Sequence, residues 1–210
     1  MNRDFPINAL PCLVLISLLL GMGCQPTSNP VSGPADEKLL AAASNNGEVG
    51  VKDALNAGAN PDVHNEFGVT PLMLAALNGN AKITQMLLAA GAKVNLVDQE
   101  GWSALMKAVP GVNLVVVELL CQKGADTNTR LPDGTHVLSK VFNTVSNEGK
   151  VWPYLSDEHL KLISLLINHG AQPDANLVRR IDETLQAHEG SLAEVENLRK
   201  ARKMLTNIHR

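Results

Sequence analysis

Six histidines and three cysteines offer this 210-residue chain most of its chemistry. The histidines stand at His64, His136, His159, His169, His188 and His209. A metal site needs several such ligands to converge at bonding distance. His159 and His169 flank one helical stretch on different turns and faces, so no convergence is read there. No GxSxG, no HExxH and no glycine-rich phosphate loop after a strand is present. A thiol nucleophile would need an activated cysteine beside a base. Cys121 is the candidate, but the repeat frame set out below gives it a core position, which predicts a buried free thiol. The chain is therefore expected to be no enzyme and to use no metal or cofactor. A hydrolase or redox protein working through Cys121 is the competing class.

Net charge is −3 and the isoelectric point about 6.1, so nothing points to nucleic acid. Arg3 precedes the apolar run Leu13–Leu20, which is too short to span a bilayer and ends in Gly21-Met22-Gly23-Cys24. This predicts a cleaved secretory signal over 1–23. Cys24 after a small residue resembles a bacterial lipobox, with Leu20 four residues before the cysteine where the usual leucine stands three before. The resemblance implies a lipid on Cys24; ordinary cleavage near Gly23 is the alternative. Gln25 lacks the acid of an inner-membrane retention signal, which implies the periplasm, anchored to the outer membrane. Cys12 leaves with the signal, so no disulfide framework is expected, and a Cys24–Cys121 bridge would require Cys24 to escape acylation. Residues 24–34, with three prolines and no large apolar side chain, read as a tether.

The rest of the chain is a frame for presenting surface. Thr70 caps a helix that Pro71 opens, with Leu72, Ala75 and Ala76 as a narrow apolar stripe. Gly79-Asn80 turns the chain. Ile83, Met86, Leu87 and Leu88 then line a second helix that Gly91 stops. Thirty-three residues on, Gly101, Leu105, Ala108, Leu120, Gly124, Ala125 and Asn128 match Gly68, Leu72, Ala75, Leu87, Gly91, Ala92 and Asn95. Leu39, Ala42, Gly58 and Ala59 match one step back, Gly134 and Leu138 one step further on. A fixed period of this kind means stacked two-helix units. The period and the TPLxxAA…LLxxGAxxN pattern resemble the ankyrin repeat over roughly Asp36 to Asp174. The resemblance implies an all-α ankyrin-repeat solenoid of about four helix-turn-helix repeats.

The array is expected over 35–174, with an insertion at 145–157, and C-terminal capping helices over 175–210. Repeat one is read as helices 35–44 and 49–57. Repeat four is read as helices 134–142 and 160–169, with His136-Val137 in the Thr-Pro place. Val115–Leu120 is β-branched, yet the frame predicts helix there. The cap is read as helices 177–188 and 192–208, with Ser191 to Glu194 resembling a capping box. Leu192, Val195, Leu198, Ala201, Leu205 and Ile208 share one face of the last helix, and Arg199, Lys200, Arg202 and Lys203 the other. A membrane-surface helix is the alternative to a cap.

Stacked arrays bind through an extended concave face. The resemblance says which positions reach out: Glu66, Phe67, Val69, Leu77 and Asn78; then Gln99, Glu100 and Trp102; then Asp133, Thr135, Asn143 and Thr144. Phe67 and Trp102 are bulky where the fold requires nothing apolar, as interface anchors are, unless both rings fold down between repeats. Glu66, Glu100 and Asp133 recur on one ridge and favour a basic patch on the partner. In the insertion, Trp152 and Tyr154 around Pro153 suit partner contact; the competing role has Trp152 and Leu155 sealing the array. Small lipobox-bearing ankyrin proteins resemble immunity proteins that neutralise phospholipase or other toxic effectors. The expected function is thus a lipid-anchored periplasmic module that grips another protein. The alternatives are a scaffold for a periplasmic enzyme, the thiol-dependent class above, and an effector secreted into a host.

Overall fold

The computed structural model of the protein describes residues 33–142, 155–173, 175–187 and 192–207. The expectations for the leader, Cys24, Asn143, Thr144, Trp152, Tyr154, the Ser191 cap and Ile208 lie outside the described residues.

Four helix pairs stack in the order the period demands. They are α1 (Pro34–Ser44) with α2 (Glu48–Asn56), α3 (Pro71–Leu77) with α4 (Ala81–Ala89), α5 (Ala104–Ala108) with α6 (Leu114–Gln122), and α7 (Val137–Val141) with α8 (Asp157–Asn168). The first helices of the pairs touch in sequence, α1 to α3 to α5 to α7, and the second helices touch likewise, giving two layers. The inner helices α3 and α5 are only a turn or two long, so their starts are fixed by side chains rather than by propensity. Thr70 Oγ1 accepts the Met73 N–H and Ser103 Oγ the Met106 N–H, both at 3.3 Å. Asn80 Oδ1 does the same for Ile83 at 3.0 Å in the outer layer. Leu72, Ala75, Ala76, Ile83 and Leu87 are buried, while Met86 and Leu88 are half-buried. The valine-rich stretch is helical, as the frame predicts.

A ladder of amides spans the turns between repeats. Asp62 Oδ1 accepts from Lys93 N at 2.7 Å, Asn95 Oδ1 from Asp126 N at 2.8 Å, and Asn128 Oδ1 from Gln172 N at 2.9 Å. Asn95 and Asn128 return a bond from Nδ2 to the Gly124 and Gly170 carbonyls. The asparagine of the repeat pattern is therefore a stitch, satisfying backbone groups that the helix ends leave open.

Two boundaries differ from expectation by three residues. α7 begins at Val137, not Gly134, because Gly134 holds φ +80° in a tip turn, as Gly68 and Gly101 do at +79° and +85°. α8 begins at Asp157, three residues early, because His159 completes a capping box with Ser156. Leu155, just before it, is buried, and its carbonyl accepts from Asn197 Nδ2 at 2.8 Å, so this end of the insertion seals α8 against the cap.

The cap is α9 (Ala175–Ala187) and α10 (Leu192–Thr206), both helices packed together and α10 against α8. Leu198, Ala201 and Leu205 are buried there, and Asp182 grips Arg202 through both carboxylate oxygens. The middle of the apolar face of α10 is thus covered by protein, as in a cap, and is not free for a membrane surface. Among the described residues no helix is long and apolar enough to cross a membrane.

Two features carry expected results. Val112 sits in the left-handed region at φ 52°, where the matching positions hold Asn46 and Gly79. A β-branched residue there is strained by about 1–3 kcal/mol. Val112→Asn should raise the urea midpoint, with a net gain of about 1 kcal/mol after lost packing. A fall would show that the half-buried valine methyls outweigh the strain.

His159 Nδ1 accepts the Ser156 N–H at 3.3 Å, with the Ser156 hydroxyl 2.8 Å away. Burial lowers its pKa from 6.5, against a smaller opposite pull from Glu158. A base with a depressed folded pKa stabilises the fold above its unfolded value. That stability is lost as pH falls through 6.5 toward the folded value, where the unfolded chain binds more protons. The melting temperature should therefore fall as pH is lowered through 6.5, and His159→Gln, which caps without titrating, should flatten that part of the profile.

Candidate protein-interaction face

The face is built from tip turns and the exposed side of the inner helices. At the tips of repeats two and three one side-chain oxygen gathers two backbone N–H groups, while the matching position of repeat four is Leu131. Asn65 Oδ1 accepts from Phe67 and Val69 at 3.0 Å each. One repeat on, Asp98 Oδ1 accepts from Glu100 at 3.0 Å and Trp102 at 2.8 Å. Asp133 Oδ1 takes the Thr135 N–H at 2.8 Å, and this bond is the main reason its carboxyl titrates below the usual range. Neighbouring tips are linked, since Phe67 O accepts from Gln99 N at 3.0 Å.

The positions expected to reach out divide by what holds them. Glu66, Glu100 and Asp133 are exposed at the tips, and Thr135 and Val69 are half-buried. Phe67 is 60% exposed and Leu77 55%, so neither ring nor isobutyl group folds down between repeats. Asn78 and Gln99 are exposed but occupied: Asn78 Nδ2 donates to the Ser44 carbonyl at 3.1 Å, and Gln99 Nε2 to that of Glu66 at 2.7 Å. Both tie repeats together.

Trp102 is half-buried, and two lysines stand over its ring. Lys140 Nζ is 4.0 Å from the ring centroid and Lys107 Nζ 5.3 Å. Each is within cation–π range. Lys107 also pairs with Asp98 at 2.8 Å, the two side chains only 16% and 4% exposed. Leu74, Lys107 and Lys140 share one register, spaced by the repeat period on α3, α5 and α7. The sequence did not single out these lysines. Their signal was available: two cations in the register of Leu74, beside a tip tryptophan.

The side chains considered for chemistry have structural places. Burial pushes the free Cys121 thiol up to about 11, so it is not a thiolate at neutral pH. His136 is buried at the start of α7, His64 Nδ1 lies 2.9 Å from the Asn65 carbonyl oxygen, and His169 closes α8 while its carbonyl accepts from Thr127 Oγ1 at 3.3 Å. Among the described residues no three His, Cys, Asp or Glu side chains are placed to hold a metal ion.

Residues 39–130 match the family model of ankyrin repeats, in three copies. No curated protein matches the chain. The fold is thus an all-α ankyrin solenoid, and its repeats are a general protein–protein interaction module.

Proposed function

We propose that the chain is a non-enzymatic gripping module that binds one partner protein through the tips and inner helices, held at the outer membrane in the periplasm by a lipid on Cys24. The partner class implied by the resemblance to immunity proteins is a toxic phospholipase effector, which the module would inhibit by covering its active-site mouth. The observation that carries the reading is the exposure of Phe67 and Leu77, at 60% and 55%, on a face whose packing needs neither. Large apolar groups ringed by the polar Glu66, Asn78 and Gln99 are the composition of an interface centre.

The test is crosslinked copurification from the native cell, with the partner identified by mass. A Phe67→Ser, Leu77→Ser double variant with unchanged melting should lose the partner. Retention of the partner would remove this face from consideration. The partner's lipase activity should fall when the chain is added; a rise would favour a stabilising scaffold instead. Radiolabelled palmitate should enter the wild type and not Cys24→Ala.

A further inference from the structure

The interaction face is not uniform along the stack, and its change of character specifies what it can hold. In repeat two it is apolar: Phe67 and Leu77 exposed, Val69 and Leu74 half-buried and packed on the core. In repeats three and four the register of Leu74 holds Lys107 and Lys140. Lys107 is neutralised by Asp98 at 2.8 Å. Lys140 is different. Its ammonium rests on the Trp102 ring at 4.0 Å, and no carboxylate of the described residues lies within ion-pair distance. Lys140 is a minor part of what lowers the Asp133 carboxyl, whose main partner is the Thr135 N–H. A cation on an indole face keeps its outward N–H donors free, because the ring attracts charge without accepting all three.

The geometry points to an occupant of one kind: an extended peptide segment of the partner, with a bulky apolar side chain on the Phe67–Leu74–Leu77 patch and a single carboxylate on Lys140. This rests on the binding role proposed above and goes further by fixing the polarity of the ligand. Leu74 and Lys140 are two helix-packing steps apart, roughly 18 Å at ~9 Å per step. An extended chain covers that in about five or six residues at ~3.3 Å each. The tip acids Glu66, Glu100 and Asp133 flank the lysine register, so a carboxylate is favoured only at the Trp102–Lys140 position and repelled along the ridge. That sets one register for the segment, a use of charge that serves specificity more than affinity.

The test is selection of random peptides displayed on phage against the full chain. The wild type should enrich peptides with Leu, Phe or Ile followed about five or six residues later by Asp or Glu. Lys140→Gln should weaken binding of a selected peptide at least tenfold, and selection on Lys140→Glu should replace the acid by Lys or Arg. Melting of each variant checks folding; Lys140 is half-buried on the Trp102 ring, so a small fall with a single intact transition is expected. Selected peptides without the acid, or indifferent to Lys140→Glu, overturn the inference while leaving the binding face intact. Peptides that also ignore Phe67→Ser, Leu77→Ser overturn the face itself. Failure to enrich any peptide counts against the segment as ligand.

Discussion

Asp98→Ala is expected to lower the unfolding free energy by about 3 kcal/mol, the scale for removing one partner of a buried ion pair and orphaning the donors it served. The carboxylate does two jobs: Oδ1 takes the Glu100 and Trp102 N–H groups, and Oδ2 meets Lys107 Nζ at 2.8 Å. Alanine leaves two tip amides without their acceptor and a lysine, 16% exposed, without its counterion. The protein contains its own control. One repeat earlier the neutral Asn65 gathers the same two amides, and the Lys107 register holds Leu74. The charge on Asp98 therefore matters only because of Lys107. Asp98→Asn alone should cost roughly half as much as alanine, since a largely covered cation stays without its carboxylate. Asp98→Asn with Lys107→Leu rebuilds the arrangement of repeat two and should unfold near the wild type. The measurement is a double-mutant cycle in urea. If the double variant is no better than Asp98→Asn, the coupling assigned to this pair is absent.

Much of the fold was legible because the period is written in residues that each have a local task. Thr70 and Ser103 cap, Gly68 and Gly101 turn, Asn95 and Asn128 stitch, and each task repeats at the same phase. Where a different residue type took over a task, the sequence misled. His159 completes a cap usually made by Glu or Gln, so α8 began unannounced at Asp157. Gly134 matches Gly68 and Gly101 by the period, which already argued against a helix beginning on it; it is the tip glycine of its repeat and the helix starts at Val137. The binding face was legible as a set of positions but not as a surface. Nothing in the spacing said that Asn78 and Gln99 would turn back onto neighbouring carbonyls, or that Lys140 would reach across to the Trp102 ring of the previous repeat. Those are contacts between repeats, and a one-dimensional period does not encode the side-chain rotamers that make them.

The second large effect is Leu87→Ala, which should cost about 2–5 kcal/mol. Leu87 is fully buried on α4, and its register in the outer layer holds Ala54 on α2, Leu120 on α6 and, past the insertion, Leu166 on α8. Truncation loses transfer energy and leaves a cavity whose cost depends on how far the walls can relax. On the Ala54 side the single Cβ methyl cannot swing into the space, and Leu120 is held between the third and fourth repeats. The upper half of the range is therefore expected. A solenoid also passes damage to its neighbours, since each repeat is stable only through its interfaces. Loss at Leu87 should thus uncouple the first repeat from the rest, broadening the urea transition as well as shifting it. Glu66→Ala, a truncation of an exposed tip side chain in the same repeat, should stay within about 0.5 kcal/mol. Urea midpoints that ranked the two substitutions in the opposite order would mean that the buried and exposed sides of repeat two have been exchanged, and the binding face would have to be sought on the other layer.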